Sequence, residues 1–176
     1  MLRIKKALVS SLAGVFLCPC VMSFAWADDC ALPAGSNWES VTVKFVLDGD
    51  TLELTDGRRV RLIGVNAPER NAAKRAVPEP FSKKATERLK ALVLGKRLKV
   101  VKGQEAKDRY GRYLMYLYDD ADQELTHQLL AEGLAFRIAF SPNLQHQGCL
   151  SQAETIARDK AIGVWSTHFW LAGHPT

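Results

Sequence analysis

Residues 46–70 read VLDGDTLELTDGRRVRLIGVNAPER, and this stretch decides how the rest of the chain is arranged. Apolar and polar residues alternate on both sides of Asp56-Gly57, a pair typical of a tight hairpin turn because glycine accepts a positive φ. The second run ends before Pro68, which has no N–H to donate to a sheet. The pattern therefore predicts a β-hairpin with strands near 52–55 and 58–65.

A hairpin of this length brings its two outer ends together. Two carboxylates, those of Asp48 and Asp50, lie at one end of the predicted hairpin. A guanidinium, an amide and a third carboxylate lie toward the other end, on Arg61, Asn66 and Glu69. We therefore expect these charged and polar groups to meet in one small region.

The first 27 residues have the pattern of a secretory signal peptide. Three basic residues precede a largely apolar run, and Ala25-Trp26-Ala27 is a small-x-small cleavage site. An uncleaved membrane anchor is the alternative, but the apolar run is near the lower length limit for a span and Pro19 interrupts it. A lipid anchor at Cys18 or Cys20 is less favoured, because neither cysteine follows the small residue that such an anchor needs. We expect an exported protein, periplasmic or extracellular, with no membrane attachment after cleavage.

Removal of residues 1–27 leaves about 150 residues, enough for one domain with a hydrophobic core. We expect that domain to occupy residues 28–176, with its core at about 41–166. The removed segment carries three Lys or Arg residues and no Asp or Glu, so the net charge falls from +5 to +2. Bulk charge is therefore a weak argument for nucleic-acid binding, which must rest on where the charges lie.

Two cysteines remain in the mature chain, Cys30 and Cys149. In an oxidising compartment a single pair most simply forms a disulfide. Closing a loop of about 120 residues would stabilise the fold by roughly 4–5 kcal/mol in the chain-entropy description. The alternative is two buried, unreactive thiols, and the predicted compartment favours the disulfide.

Hydrophobic periodicity predicts the remaining elements. The alternating pattern predicts further strands at 41–47, 98–101 and 112–118. Helical spacing predicts helices at 80–93, 125–134 and 151–162. Residues 70–80 and 102–111 are predicted as loops, and 135–143 as an irregular arm. Five strands, with one helix after the third and two helices at the end, indicate an α+β fold: a five-stranded OB-fold β-barrel with three helices.

Four segments resemble the staphylococcal nuclease (thermonuclease) family. They are LDGDTLEL at 47–54, RLIGVNAPE at 61–69, DRYGRYLMYLY at 108–118 and IGVWS at 162–166. No segment is specific alone, but their order and spacing are specific together. The resemblance implies an OB barrel and a phosphodiesterase that uses one Ca²⁺ ion, cleaves DNA and RNA, and leaves 3′-phosphate ends. It implies no stable protein partner, and we expect a monomer.

The resemblance assigns three residues to the metal. Asp50 matches the ligand aspartate of the family, and a carboxylate oxygen suits Ca²⁺; alternatively it is a turn residue that caps its own backbone. Asn66 stands where the family's reference member has a second ligand aspartate. Its amide oxygen still suits Ca²⁺, but the site loses one negative charge, so we expect weaker binding. Ala67 stands where the family uses a backbone carbonyl, which survives a change of side chain.

The resemblance also assigns three catalytic residues. Glu69 matches the proposed general base, which would orient and deprotonate the attacking water. Arg61 and Arg112 match two catalytic arginines, whose planar forks bind phosphate oxygens and offset the charge of the transition state. The alternatives are an exposed loop acid for Glu69 and solvated strand residues for the arginines.

Nucleotide contacts are expected from Arg109, Tyr110 and Phe140. Arg109 and Tyr110 resemble a Lys-Tyr pair of the family, and Phe140 lies near its base-stacking tyrosines, with a spacing one residue shorter. Aromatic stacking with basic backbone contacts tolerates any sequence. For Phe140, packing in the core is an equal alternative. The four histidines show no metal-ligand spacing and receive no role.

The sequence therefore predicts an exported, Ca²⁺-dependent nuclease of low sequence specificity. The first alternative is an OB-fold module that binds single-stranded nucleic acid and is catalytically weak or inactive because of Asn66. The second is a structural envelope protein whose charged hairpin is only surface. The presence together of Asp50, Arg61, Glu69 and Arg112 favours the enzyme, since a binding module needs neither a general base nor a metal ligand.

Overall fold

The computed structural model describes residues 30–70 and 78–166. The predicted signal peptide, part of the predicted loop at 70–80 and the last ten residues of the predicted domain lie outside these ranges. Within the described ranges, every helix is too short or too polar to span a bilayer.

Residues 30–70 and 78–166 form seven strands and three helices. The strands are β1 (Glu39–Val46), β2 (Thr51–Leu54), β3 (Arg59–Leu62), β4 (Val65–Asn66), β5 (Arg97–Lys107), β6 (Tyr113–Tyr118) and β7 (Phe136–Arg137). The helices are α1 (Ser82–Val93), α2 (Leu125–Ala131) and α3 (Gln147–Asp159), and a short 3₁₀ turn follows at Gly163–Ser166.

Five of the strands close into a barrel in the order β1-β2-β3-β6-β5. Neighbouring strands are antiparallel except β3 and β6, which run parallel. Inward side chains such as Leu52, Leu62 and Leu117 are fully buried, so the barrel interior is the main core. The predicted five-stranded barrel with three helices is confirmed.

The second hairpin strand is shorter than predicted. β3 ends at Leu62, and Gly64 adopts a φ of +85° that breaks the ladder. β4 then leaves the barrel and pairs with β7, so Val65 faces Arg137. The predicted irregular arm therefore contains a short strand that fixes the segment after Arg61.

The fourth barrel strand is longer than predicted. The expected loop at 102–111 instead continues β5 as far as Lys107, where Lys107 pairs with Tyr113 of β6. The charged residues of this extension are mostly exposed, so they do not oppose strand formation. The turn of the β5–β6 hairpin directly precedes Tyr113, which pairs with Val60, so this turn lies beside the start of β3.

The closing helix starts four residues before its predicted start, at Gln147. Its first turn contains Cys149, which forms a disulfide with Cys30 across a Cα–Cα distance of 5.7 Å. After this helix the chain packs back on the domain through Val164 and Trp165. Val164 is fully buried, and the ring of Trp165 lies 5.1 Å from that of Phe136.

Candidate functional site

The outer ends of the hairpin meet at Asp50. This carboxylate is 3% exposed, and its Oδ2 accepts a hydrogen bond from the Ala67 backbone N–H at 2.7 Å. Nη2 of Arg61 lies 3.1 Å from the same oxygen. Oδ1 accepts from the hydroxyl of Thr51 at 2.9 Å. The pairing of Thr51 with Arg61 across β2 and β3 produces this approach.

The turn before Asp50 packs closely on its neighbours through Gly49. A Cβ atom at this position would lie 2.5 Å from the Cβ of Ala67 and 2.7 Å from that of Ala85 in α1. Any side chain would therefore force the turn away from both. The glycine of the DGDT motif is required for space, and it keeps Asp50 in reach of Ala67.

Arg61 is held by four oxygen atoms. Nη1 donates to the carbonyl of Leu62 at 3.1 Å and to that of Val65 at 2.8 Å. Nη2 donates to Oδ1 of Asn66 at 3.0 Å and lies next to Asp50. Only 12% of the side chain is exposed, so the guanidinium is oriented before any ligand arrives. The structure thus brings Asp50, Arg61, Asn66 and Ala67 together.

Burial makes the Asp50 carboxylate difficult to ionise. Burial, helped by the negative charge of Asp48, raises its pKa to about 7 despite the opposing effect of Arg61. Oδ1 of Asp48 also accepts from the Asp50 backbone N–H at 3.2 Å. Sequence reasoning placed Asp48 at this end of the hairpin but gave it no role. One guanidinium therefore only partly offsets the effects of burial and of Asp48 on the Asp50 carboxylate.

Glu69 lies on the segment after β4. Its backbone N–H donates to Oε2 of Glu79 at 3.0 Å, and the N–H of Glu79 donates back to the Glu69 carbonyl at 3.0 Å. The pKa of Glu69 is raised by partial burial first and then by Asp48 and Glu79, while Arg61 and Arg112 lower it. The carboxylate is therefore within electrostatic reach of both arginines.

Arg112 follows the turn at the tip of the β5–β6 hairpin and is held by Asp108. Oδ2 of Asp108 accepts from Nε of Arg112 at 2.6 Å. Oδ1 accepts from the backbone N–H groups of Tyr110 at 2.9 Å and Arg112 at 3.0 Å. Burial would raise the pKa of Asp108, but these bonds outweigh it and lower that pKa. Sequence reasoning missed Asp108, although an aspartate that opens a tight turn is a recognisable signal.

One groove of about 700 Å³ joins most of the predicted residues. Arg61, Asn66 and Arg112 line it, together with Arg109, Tyr110 and Phe140. Phe140 is 70% exposed and Tyr110 is 68% exposed, so core packing of Phe140 is excluded. Nη2 of Arg109 donates to the Tyr110 hydroxyl at 2.6 Å, and its guanidinium lies 4.8 Å from the ring centre.

Comparison with known proteins agrees with this arrangement. The profile of the family described as "Staphylococcal nuclease homologue" matches residues 59–167. The chain belongs to the staphylococcal nuclease family. The matched region contains both arginines, Asn66 and Glu69, whereas Asp50 precedes it.

Individual members of the staphylococcal nuclease family are similar over most of their length. A protein named "Thermonuclease" from Staphylococcus intermedius is 36% identical over 130 residues, which cover 72% of this chain and 76% of the relative. Another "Thermonuclease", from Staphylococcus hyicus, is 31% identical over 76% of this chain and 79% of the relative. An "Uncharacterized endonuclease" of Escherichia coli O157:H7 is 31% identical over 69% of this chain and 73% of the relative.

The family implies a metal ion. The oxygen donors of this site suit a hard cation, and their low total charge implies weak binding. Asp50 offers a carboxylate, Asn66 an amide oxygen and Ala67 a backbone carbonyl, all of the oxygen type that Ca²⁺ prefers. Among the described residues, no three His, Cys, Asp or Glu side chains are grouped so that they could hold an ion. Arg61 also contacts both Asp50 and Asn66. A bound cation would favour the ionised form of Asp50, and the small number of carboxylates would limit its affinity.

Proposed function

We propose that this chain is an exported, metal-dependent nuclease. It would hydrolyse phosphodiester bonds of DNA and RNA with little sequence specificity and leave 3′-phosphate ends. One observation carries the proposal: Arg61 and Arg112 line a single groove, and Glu69 lies within electrostatic reach of both. The names of the relatives, thermonuclease and endonuclease, support the same reaction.

The two arginines bind the scissile phosphate. A guanidinium presents parallel N–H donors that match two phosphate oxygens, and it stabilises the charge that develops as water attacks. Arg61 is oriented by the carbonyls of Leu62 and Val65, and Arg112 by Asp108. These contacts fix the donors in advance, so little reorganisation is needed during the reaction.

Glu69 accepts a proton from the attacking water. A general base works best when its pKa lies near the operating pH. Partial burial and the neighbouring acids raise the pKa of Glu69 and make its carboxylate a stronger base, while Arg61 and Arg112 oppose this rise. The exposed position of Glu69 leaves it accessible to water.

Asp50, Asn66 and the Ala67 carbonyl would hold one Ca²⁺ ion. The ion would supply positive charge to the phosphate and acidify water at the site. Oδ1 of Asn66 has two lone pairs, so it can accept from Arg61 and still face a cation. Asp48 adds negative charge to the same region and offsets part of what Asn66 lacks.

The substrate chain lies along the groove. Arg109 and Tyr110 contact the nucleotide, and the exposed rings of Tyr110 and Phe140 stack on bases. Stacking on an aromatic face admits every base, which fits low sequence specificity. The disulfide between Cys30 and Cys149 fits export to an oxidising compartment, where the enzyme would act as a monomer.

A second candidate is a binding module without useful catalysis. The observation that favours it is the contact of Arg61 with both Asp50 and Asn66, in a site that has one carboxylate fewer than the family's reference member. Such a module would bind single-stranded nucleic acid in the same groove.

Cleavage of single-stranded DNA across a Ca²⁺ titration distinguishes the two. We expect wild-type protein to cleave, EDTA to abolish cleavage, and Glu69→Gln to lose about a hundred-fold or more in rate while remaining folded. Glu87→Gln on the exposed face of α1 removes the same charge from a residue that does not line the groove and serves as the control. Binding without cleavage at millimolar Ca²⁺ would favour the module, and neither binding nor cleavage would favour a structural envelope protein.

A further inference from the structure

The groove is lined by groups of opposite charge. The guanidinium groups of Arg61, Arg109 and Arg112 line it, and so do two acidic residues, Asp108 and Glu105. Asp108 is paired with Arg112, so its charge is offset. A phosphate is attracted by a guanidinium and repelled by a carboxylate, so the nucleic-acid backbone belongs beside the arginines and a neutral base beside Glu105.

The position of Glu105 is fixed by a buried amide. Oδ1 of Asn143 accepts from the Glu105 backbone N–H at 3.1 Å, and Nδ2 donates to the Glu105 carbonyl at 3.1 Å. Asn143 is 5% exposed. At Gly103, two residues before Glu105 in β5, a Cβ atom would lie 2.6 Å from Oδ1 of Asn143, so only glycine allows this approach.

Asn143 also links Glu105 to the segment that carries Phe140. Asn143 forms a β-bridge with Phe140, so the segment that carries Phe140 and the extended end of β5 are held as one unit. Within the described part of the chain, Glu105 makes its hydrogen bonds through its backbone N–H and carbonyl, and the residue is exposed to solvent. The groove thus presents an aromatic face beside a fixed residue with a free carboxylate.

We propose that Glu105 and Phe140 form a nucleobase subsite that prefers bases with an exocyclic amino group. This inference rests on the proposed function and adds a modest preference to it. A carboxylate accepts hydrogen bonds and donates none. Adenine, cytosine and guanine offer amino N–H donors to it, whereas thymine and uracil present one ring N–H between two carbonyl oxygens. Stacking of a base on the Phe140 ring provides affinity for any base, and the Glu105 carboxylate favours bases that carry an amino group.

The expected preference is small because Glu105 is exposed. We expect oligo(dC) to bind about three- to ten-fold more tightly than oligo(dT) of equal length, an effect at the lower end of base discrimination by a side chain. Cytosine and thymine are both pyrimidines, so their comparison keeps ring size constant and tests the amino group.

Two readouts on the same purified protein test the subsite. Fluorescence anisotropy in EDTA gives affinities for labelled oligo(dC) and oligo(dT), and cleavage at fixed Ca²⁺ gives relative rates. The variant is Glu105→Gln, whose amide both donates and accepts and therefore serves either base. Glu87→Gln, which removes an equal charge from α1, is the matched control.

The inference is supported if wild type and Glu87→Gln prefer oligo(dC) and Glu105→Gln does not. It is overturned if wild type binds the two oligonucleotides equally, or if the preference survives in Glu105→Gln. A uniform rise in affinity of Glu105→Gln for both would show that Glu105 only repels the backbone, and would also overturn it. Preferential binding that depends on Glu105, with no cleavage of any DNA, would uphold the subsite and reject the enzymatic function.

Discussion

Nη2 of Arg61 lies 3.1 Å from Oδ2 of Asp50, and both side chains are almost fully withdrawn from solvent. The same guanidinium also binds two backbone carbonyls, those of Leu62 and Val65. Burial alone would leave Asp50 poorly ionised, and Arg61 offsets part of that effect. Arg61 is therefore part of the barrel end as well as a phosphate ligand in the proposed mechanism.

Loss of Arg61 should destabilise the fold more than loss of Arg112. Removing one partner of a buried ion pair leaves the other unpaired, so we expect Arg61→Gln to lower the free energy of unfolding by about 3 kcal/mol. The Arg112 pair with Asp108 is more exposed, and Arg112→Gln should lower it by about 1 kcal/mol or less. Urea denaturation followed by tryptophan fluorescence measures both, and equal destabilisation would contradict the structural role of Arg61.

Stability should fall as the pH rises through the neutral range because of Glu124. This side chain is 1% exposed and caps α2 by accepting from the His127 N–H at 2.8 Å. Burial raises its pKa to about 7, more than the hydrogen bonds from Thr126 and His127 lower it. The folded state therefore binds a proton more tightly than the unfolded state. The contribution of Glu124 to the free energy of unfolding is fully present below about pH 4.5 and is lost as the pH rises through about 7.

Glu124→Gln should flatten this dependence, because a neutral amide can still cap α2. The measurement is the urea midpoint from pH 5 to 8. Some slope should remain in the variant, since the pKa of Asp50 is raised in the same direction. Asp56 and Asp108 have lowered pKa values and act only at lower pH, outside this window. An identical pH profile for wild type and variant would show that Glu124 does not titrate in this range.

Local signals in the sequence were sufficient for the hairpin and for the groups at its ends. Asp56-Gly57 marks the turn, and strict alternation fixes which side chains point inward. Together they bring Asp50 to Arg61. The residue types alone could not show that Oδ1 of Asn66 faces Arg61, because that depends on the break at Gly64 and the departure of β4 from the barrel.

Contacts between segments that are distant in the chain could not be predicted from the sequence. Asn143 reaches Glu105 only because β5 continues to Lys107, a continuation that its charged residues obscured. A lone asparagine after a proline reads as a turn residue, and its bidentate contact with another strand is visible only in three dimensions. The base subsite depends on that contact, so it could not be predicted from spacing.

Removal of the disulfide should destabilise the protein strongly. Cys30 and Cys149 are 119 residues apart, and closing a loop of this size stabilises by about 4 kcal/mol in the chain-entropy description. We expect Cys30→Ser with Cys149→Ser to lose about that much in urea denaturation. Wild-type protein unfolded in the presence of dithiothreitol should match the double variant, and dithiothreitol should leave the double variant unchanged. If the double variant and wild type differed by less than about 1 kcal/mol in the free energy of unfolding, the disulfide would constrain the unfolded chain little.

Restoring a carboxylate at position 66 should tighten Ca²⁺ binding. Asn66 places its oxygen 3.0 Å from Nη2 of Arg61, and aspartate keeps that oxygen while it adds negative charge next to Asp50. Calcium affinity rises with the charge of its ligands, so we expect Asn66→Asp to bind about ten-fold more tightly in isothermal titration calorimetry. Gln152→Glu on the exposed side of α3 adds the same charge elsewhere and should leave the affinity unchanged. Equal affinities of wild type and Asn66→Asp would place the ion away from residue 66, and the proposed ligand set would be wrong.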